Sequence, residues 1–168
     1  MCERIRVMPT ATPATVRPMT PAAYDAWRER SLAIYARERA EAEGRLVAET
    51  LPEEESELAR LLPHGQHTSG HHFLDVLDGN TVVGCLWIGP HPNKRNAAWV
   101  YDIEIEQSAR GRGLGRAAML AAEGVAVAVG ATELGLNVFG FNEPAIGLYR
   151  SLGYAVTSMR MAKPLRPD

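Results

Sequence analysis

The chain has 168 residues, 46% of them hydrophobic and 23% charged, which suffices for one buried core and falls short of two full-size domains. Eighteen Lys and Arg against twenty Asp and Glu leave a net charge of -2, so no overall field draws the chain to nucleic acid or an anionic membrane, and any anion site has to be local. The two cysteines, Cys2 and Cys85, form neither a disulfide framework nor metal-ligand spacing, which suits a reducing compartment.

The N-terminal residues mix charges and prolines where a secretory signal needs an unbroken apolar run. Residues 1–14 therefore read as a loose arm ahead of a single domain over 15–168, and a cytoplasmic protein is expected. An edge strand is predicted over 16–19, since Pro18 is tolerated only at an edge. Thr20 and Pro21 supply an N-cap oxygen and a first-turn proline, starting a helix that runs to Glu43 and stops at Gly44. Its Tyr24, Trp27, Ile34 and Tyr35 share a face that reads as core. A second helix is predicted over 52–62, with Glu53, Glu54 and Glu55 at its positive dipole end. After a loop over 63–70, strands over 72–77 and 81–88 are joined by Asp78-Gly79-Asn80, a hairpin signal. A strand over 97–105 alternates, putting Trp99, Tyr101, Ile103 and Ile105 on one face and Asp102 and Glu104 on the other.

Next comes a glycine-rich stretch, then a helix to about Val129 closed by Gly130, and a strand over 134–138. The apolar run 117–131 is interrupted by Glu123 and is shorter than the roughly 20 residues of a membrane span. Asn142 caps a last helix over 143–152, with Pro144 in its first turn, and an extended segment follows over 154–161. The order is that of an α+β domain, a hairpin-built mixed sheet with helices on its faces.

Chemistry concentrates in Arg110-Gly111-Arg112-Gly113-Leu114-Gly115-Arg116, between a strand and a helix. Alternate glycines bring backbone N–H groups close to a ligand, the helix aims its positive end at the same place, and three arginines add donors for phosphate oxygens. That combination suits a diphosphate. Arg116 and Ala117 stand where a Walker loop needs Lys and Ser or Thr. Arg116 also occupies the last glycine position of a dinucleotide fingerprint counted from Gly111. The histidines His64, His67, His71, His72 and His91 cluster around one loop, but no carboxylate or cysteine completes a ligand set, and no metal is expected.

The stretch from Arg110 to Gly115 resembles the Q/R-x-x-G-x-G/A pattern of the GNAT superfamily of acetyl-CoA-dependent N-acetyltransferases. The resemblance continues in Leu136-Asn137-Val138, Asn142, Ala145, Leu148-Tyr149 and Leu152-Gly153-Tyr154, which is similar to the family's second signature. It is specific over 101–154 and generic over the N-terminal helices. It implies a mixed, mostly antiparallel, splayed sheet with helices on both faces. The pantetheine arm would enter where the strand ending at Ile105 parts from the strand over 134–138. Residues 110–116 with Ile103, Ile105 and Asn142 would hold the cofactor, and the backbone N–H near Ile105 would polarise the thioester carbonyl. The resemblance gives Tyr149 the role of acid toward the departing thiolate. Dimerisation is a family habit with no residue of this sequence behind it.

Neither cysteine has a recognisable histidine arrangement around it, so direct attack by an amine is expected rather than an acyl-enzyme. At neutral pH only about one primary amine in a thousand is unprotonated, so a base or water chain is needed. Glu104 and Asp102 are the candidates by position. The leading expectation is acetyl transfer to a primary amine of a small molecule or peptide. The alternative is a non-catalytic acyl-CoA-binding or sensor module.

Overall fold

A computed structural model describes residues 15–161, 163 and 165; the arm predicted over 1–14 lies outside them. Strand β1 (Thr15–Pro18) leads into α1 (Pro21–Glu43) and α2 (Val47–Leu61), then come β2 (His72–Asp78), β3 (Thr81–Pro90) and β4 (Ala97–Ile105). Helix α3 (Leu114–Ala128), β5 (Glu133–Leu136) and α4 (Glu143–Ser151) complete the order. The five strands form one open sheet in the order β1-β2-β3-β4-β5. Pairs β1 to β4 are antiparallel, and β5 runs parallel to β4. The fold is the expected α+β one with a mostly antiparallel mixed sheet. The chain divides into one unit ending at Asn137, which holds the sheet and the first three helices, and a second from Val138, which holds α4. Among the described residues no helix is long and apolar enough to cross a membrane.

Helix α1 begins as its sequence dictates: the Thr20 hydroxyl accepts the Ala23 N–H at 3.2 Å and Pro21 opens the first turn. Its buried stripe is Tyr24, Trp27, Ser31, Leu32, Ala36 and Ala40. Ile34 and Tyr35 are only half-buried, so the aromatic face is not all core. Helix α2 starts at Val47, five residues ahead of the predicted Pro52. The Glu49 carboxylate accepts the Leu46 N–H at 3.0 Å, and the buried Thr50 hydroxyl donates to the Ala36 carbonyl of α1 at 2.6 Å. Capping and docking on α1 outweigh the proline, which leaves the Ala48 carbonyl without its usual N–H partner.

On one face of the sheet, Phe73, Cys85 and Trp87 pack with Trp27, Tyr24, Leu32 and Leu58 into an aromatic core. The alternate residues Leu74, Val76, Leu86 and Ile88 are buried too. They point to the opposite face, where α3 packs with Ala118, Met119, Ala122 and Ala126 buried.

Strand β4 departs from the predicted alternation. Trp87 lies opposite Asp102 but Ile88 lies opposite Val100, so Tyr101 is an extra, bulged residue. A bulge shifts the phase of the pleat. Tyr101 therefore stacks on Trp87, 4.5 Å between ring centroids, and shares the α1 side of the sheet with Asp102 and Glu104 instead of lying opposite them. The segment over 154–161, predicted to be extended, forms no strand.

Candidate active site

The loop before α3 takes the backbone shape that its glycines permit. Gly111 and Gly113 have φ values of 74° and 80°, a left-handed conformation, and Gly113 is the residue that caps α3. A side chain at either place would cost about 1 kcal/mol in backbone strain alone. The first-turn N–H groups that follow, from Leu114 and Gly115, have no acceptor within the helix and point out of its start.

The arginines around the loop do different jobs. Arg110 Nε donates to the Ile105 carbonyl at 2.8 Å, tying the loop to the end of β4. Arg112 forms an ion pair with Asp78 in the β2–β3 turn. Arg116 is exposed on the first turn of α3.

Beside this loop the sheet opens. Strand β5 pairs with β4 only from Ala97 to Val100, opposite Glu133 to Leu136. Beyond Val100 no strand runs along the outer edge of β4 among the described residues. Which backbone groups face that gap follows from the register. Ile105 lies opposite Gly84, and the Glu106 N–H donates to the Val83 carbonyl at 2.9 Å. In an antiparallel pair the bonded positions alternate, so the N–H and C=O groups of Ile103 and Ile105 face away from β3, toward the gap. The Ile105 carbonyl is the one that Arg110 takes.

The other side of β4 carries the candidate bases. Asp102 is half-buried against α1 and accepts the Trp27 indole N–H at 2.8 Å. Burial raises its carboxyl above the usual range, opposed by that hydrogen bond. Glu104 is half-exposed and stands 3.7 Å from Arg30. Cys85 lies between them, its Sγ 4.0 Å from Asp102 and 3.9 Å from Arg30. Burial, with the two carboxylates adding, pushes its thiol up to about 12, so it stays protonated and is no nucleophile at neutral pH. Tyr35 completes the group: burial and then the Asp102 charge hold its phenol protonated.

Tyr35 also lines an open cleft of about 460 Å³ between α1, α2 and the sheet. Leu32, Leu58, Leu61, Trp87 and Tyr101 form its walls, and Glu54, Glu57 and Arg60 of α2 add charge. His71 stands behind the two rings, accepting the Trp87 indole N–H on Nδ1 at 3.0 Å. Burial lowers its pKa, and the bond requires that nitrogen to be unprotonated. Sequence reasoning passed over Trp27, Arg30 and the cavity residues, because a helical face that carries Trp27 and Tyr35 has the pattern of a core. Among the described residues no cluster of three or more His, Cys, Asp or Glu is arranged to hold a metal.

In the second unit, the Asn142 side chain accepts the Ala145 N–H at 3.3 Å and caps α4. Tyr149 lies two turns along that helix, its ring 6.0 Å from that of Tyr154. Phe139 and Phe141, ahead of the cap, stack at 5.2 Å.

Comparison with known proteins agrees with this layout. Residues 21–154 match the family model described as the acetyltransferase (GNAT) family. The chain is 30% identical over 153 residues to YdgE of Bacillus subtilis (strain 168), described as an uncharacterized N-acetyltransferase, covering 90% of this chain and 98% of that protein. YycN of the same organism, described likewise, is 34% identical over 122 residues, covering 68% of this chain and 78% of that protein. The crystal structure of YycN superimposes with a TM-score of 0.79 over 92% of this chain and 99% of that one, at 28% identity. AAC(6')-Iy, solved with the bisubstrate analog CoA-S-monomethyl-acetylneamine, shares the fold at a TM-score of 0.59 and 15% identity, over 93% of this chain and 100% of that one.

Proposed function

As the chain belongs to the GNAT family of acetyltransferases, we propose that it transfers the acetyl group of acetyl-CoA directly to a primary amine of a small molecule or peptide. The observation that carries this reading is the unpaired edge of β4 next to the glycine loop. The Ile105 N–H and the Ile103 carbonyl face a gap, and a pantetheine arm, rich in amides, supplies partners for such groups. The loop 110–116 then takes the diphosphate on its backbone N–H groups, with Gly111 and Gly113 allowing the close approach and Arg110, Arg112 and Arg116 adding positive charge. Asn142 belongs to the cofactor side by the second signature alone.

In the reaction the amine nitrogen attacks the thioester carbon, the C–N bond forms and the C–S bond breaks. Negative charge gathers on the carbonyl oxygen, and a β4 N–H facing the gap, that of Ile105, is the donor proposed to stabilise it. Glu104 accepts the proton that the amine sheds, directly or through water, and Asp102 beside it favours the approach of a cation. Tyr149 gives a proton to the departing thiolate. Its assignment rests on its place in the second signature. The bound carboxylates and the protonated Cys85 thiol support direct transfer without an acyl-enzyme.

The test is calorimetric titration with acetyl-CoA, together with thiol release against a panel of amines. Wild-type protein is expected to bind and to release coenzyme A only when an accepted amine is present. Arg116→Glu is expected to weaken acetyl-CoA binding severely and leave the fold intact. Wild-type affinity in that variant would put the site elsewhere. Binding without thiol release for every amine would make the chain an acyl-CoA-binding module.

A further inference from the structure

Building on the acetyl-transfer reading, we infer that His71 is a positioning residue for the acceptor: through the Trp87 indole it holds Tyr101 in the wall of the cleft, and so governs how tightly the amine is bound. Trp87 and Tyr101 both line the cleft between α1, α2 and the sheet, and His71 acts on it through them. His71 Nδ1 accepts the Trp87 indole N–H at 3.0 Å, and the Trp87 ring stacks on Tyr101 at 4.5 Å and 20°. His71 also packs on Tyr101 directly, with 5.6 Å between ring centroids. Gly89 leaves the room for both rings, since a Cβ there would stand 2.3 Å from His71 Nδ1 and 3.0 Å from Tyr101 Cε2. The Tyr101 hydroxyl donates to the Pro90 carbonyl at 2.7 Å. Tyr101 is the bulged residue of β4, and a bulged residue is left out of the ladder. Side-chain contacts, rather than strand pairing, therefore fix where its ring points.

The clamp depends on a proton. Trp87 is 3% exposed, and an indole N–H left without an acceptor in such a place is costly. Neutral His71 supplies the acceptor. The imidazolium carries a proton on both ring nitrogens and cannot accept, so protonation sets two donors face to face and the Trp87–Tyr101 pair has to move. Burial, and then the charge of His72 next in the chain, hold the imidazole pKa below its ordinary value; no other charge acts on it among the described residues. The Tyr101 phenol is the titratable group packed against its ring from β4, and β3 presents Trp87 and Gly89. The clamp is closed at neutral pH and opens only below about 6.5.

The experiment uses the full chain. His71→Asn keeps an acceptor where Nδ1 stood and has no proton to gain, whereas His71→Leu keeps the bulk and has no acceptor. The first readout is the Trp87 indole N–H resonance of isotope-labelled protein, assigned by its loss in Trp87→Phe. As the pH falls from about 7 to about 5 it is expected to move in wild type and to hold still in His71→Asn. In His71→Leu it leaves its wild-type position at every pH. The second readout is steady-state kinetics with acetyl-CoA and the amine of the panel that releases thiol fastest. His71→Leu is expected to raise KM for the amine about fivefold or more and KM for acetyl-CoA less than about twofold, with His71→Asn recovering most of the loss at neutral pH. The ratio of kcat/KM for the amine, wild type to His71→Asn, is expected to be flat above about pH 7 and to fall at least about threefold by about pH 5. Ionisation of the amine and of Glu104 is common to both proteins and cancels in that ratio. A flat ratio, or an equal rise in both KM values, overturns the inference. So does an indole resonance that ignores both pH and His71→Leu, whether or not any amine is acetylated. An indole resonance that follows His71 in a protein that acetylates no amine keeps the clamp and overturns acetyl transfer.

Discussion

Glu104 and Asp102 are two residues apart on one strand and their surroundings give them different work. Glu104 is half-exposed beside Arg30, within reach of water, while Asp102 accepts the Trp27 indole N–H and is partly desolvated there. Replacing Glu104 by Gln keeps the size and removes the proton acceptor. Turnover of Glu104→Gln is expected to fall most at low pH and to recover partly as pH rises, because the unprotonated amine becomes abundant without help. A pH–rate profile with the wild-type shape removes Glu104 from the mechanism. Tyr149 is tested by the loss of one oxygen. An ordinary phenol stays protonated at neutral pH, and a thiolate with a conjugate acid near about 8.5 leaves passably without assistance. Tyr149→Phe should therefore lower turnover by about ten-fold to a thousand-fold, with acetyl-CoA affinity and melting temperature nearly unchanged. Full activity in that variant would assign the ring to packing.

At the scale of elements, β3 and β4 decide the shape of the site. Gly84 lies opposite Ile105, and a Cβ placed on it would stand 2.2 Å from the Glu104 carbonyl oxygen. That oxygen is backbone and cannot swing aside, so Gly84→Ala has to push the two strands apart where β4 presents its outward N–H groups. Denaturant titration should show a loss of roughly 2 to 4 kcal/mol. A variant as stable as wild type would mean that the strands are not held this closely. The bulge at Tyr101 matters in the same way. The plain alternation predicted for β4 would have put Tyr101 on the other face from Asp102. One extra residue brings an aromatic ring and both carboxylates to the same side. Helix α2 shows the reverse balance: its sequence starts best at Pro52, yet the Glu49 cap and the Thr50 bond to α1 extend it back to Val47.

For the molecule as a whole, the half-buried Asp102 makes stability depend on pH in a definite direction. Burial raises its folded-state pKa above the unfolded value, despite the Trp27 hydrogen bond. The folded state then holds the proton more tightly, so stability declines as the pH rises from the ordinary Asp range, near about 4, through the higher folded pKa. Asp102→Asn has no charge to bury and keeps an oxygen for the indole. Thermal melts from pH 4 to 8 should show the variant gaining on wild type as pH increases, with the difference shrinking toward the acid end. A difference that grows toward acid would mean that Asp102 is stabilised as its anion.

Much of this chain is legible without coordinates, because certain signals are local. Thr20-Pro21, Asp78-Gly79, Asn142 and the glycines of 110–116 act within a few bonds of themselves, and each sits at the boundary or turn that its chemistry prescribes. Two ordered signatures identified the family for the same reason: residues that hold one ligand on a strand-to-helix turn leave a dense pattern. The acceptor side was not legible. Which half of α1 is core and which is cavity wall depends on where α2 docks. The faces of Asp102 and Tyr101 depend on a bulge, which is an agreement of register between two strands. Arg112 and Asp78, far apart in sequence, find each other only when the hairpin folds back beside the loop. Periodicity reports which residues leave water. Only the packed structure decides whether they meet another side chain or a space shaped for a ligand, since that depends on elements distant in the chain.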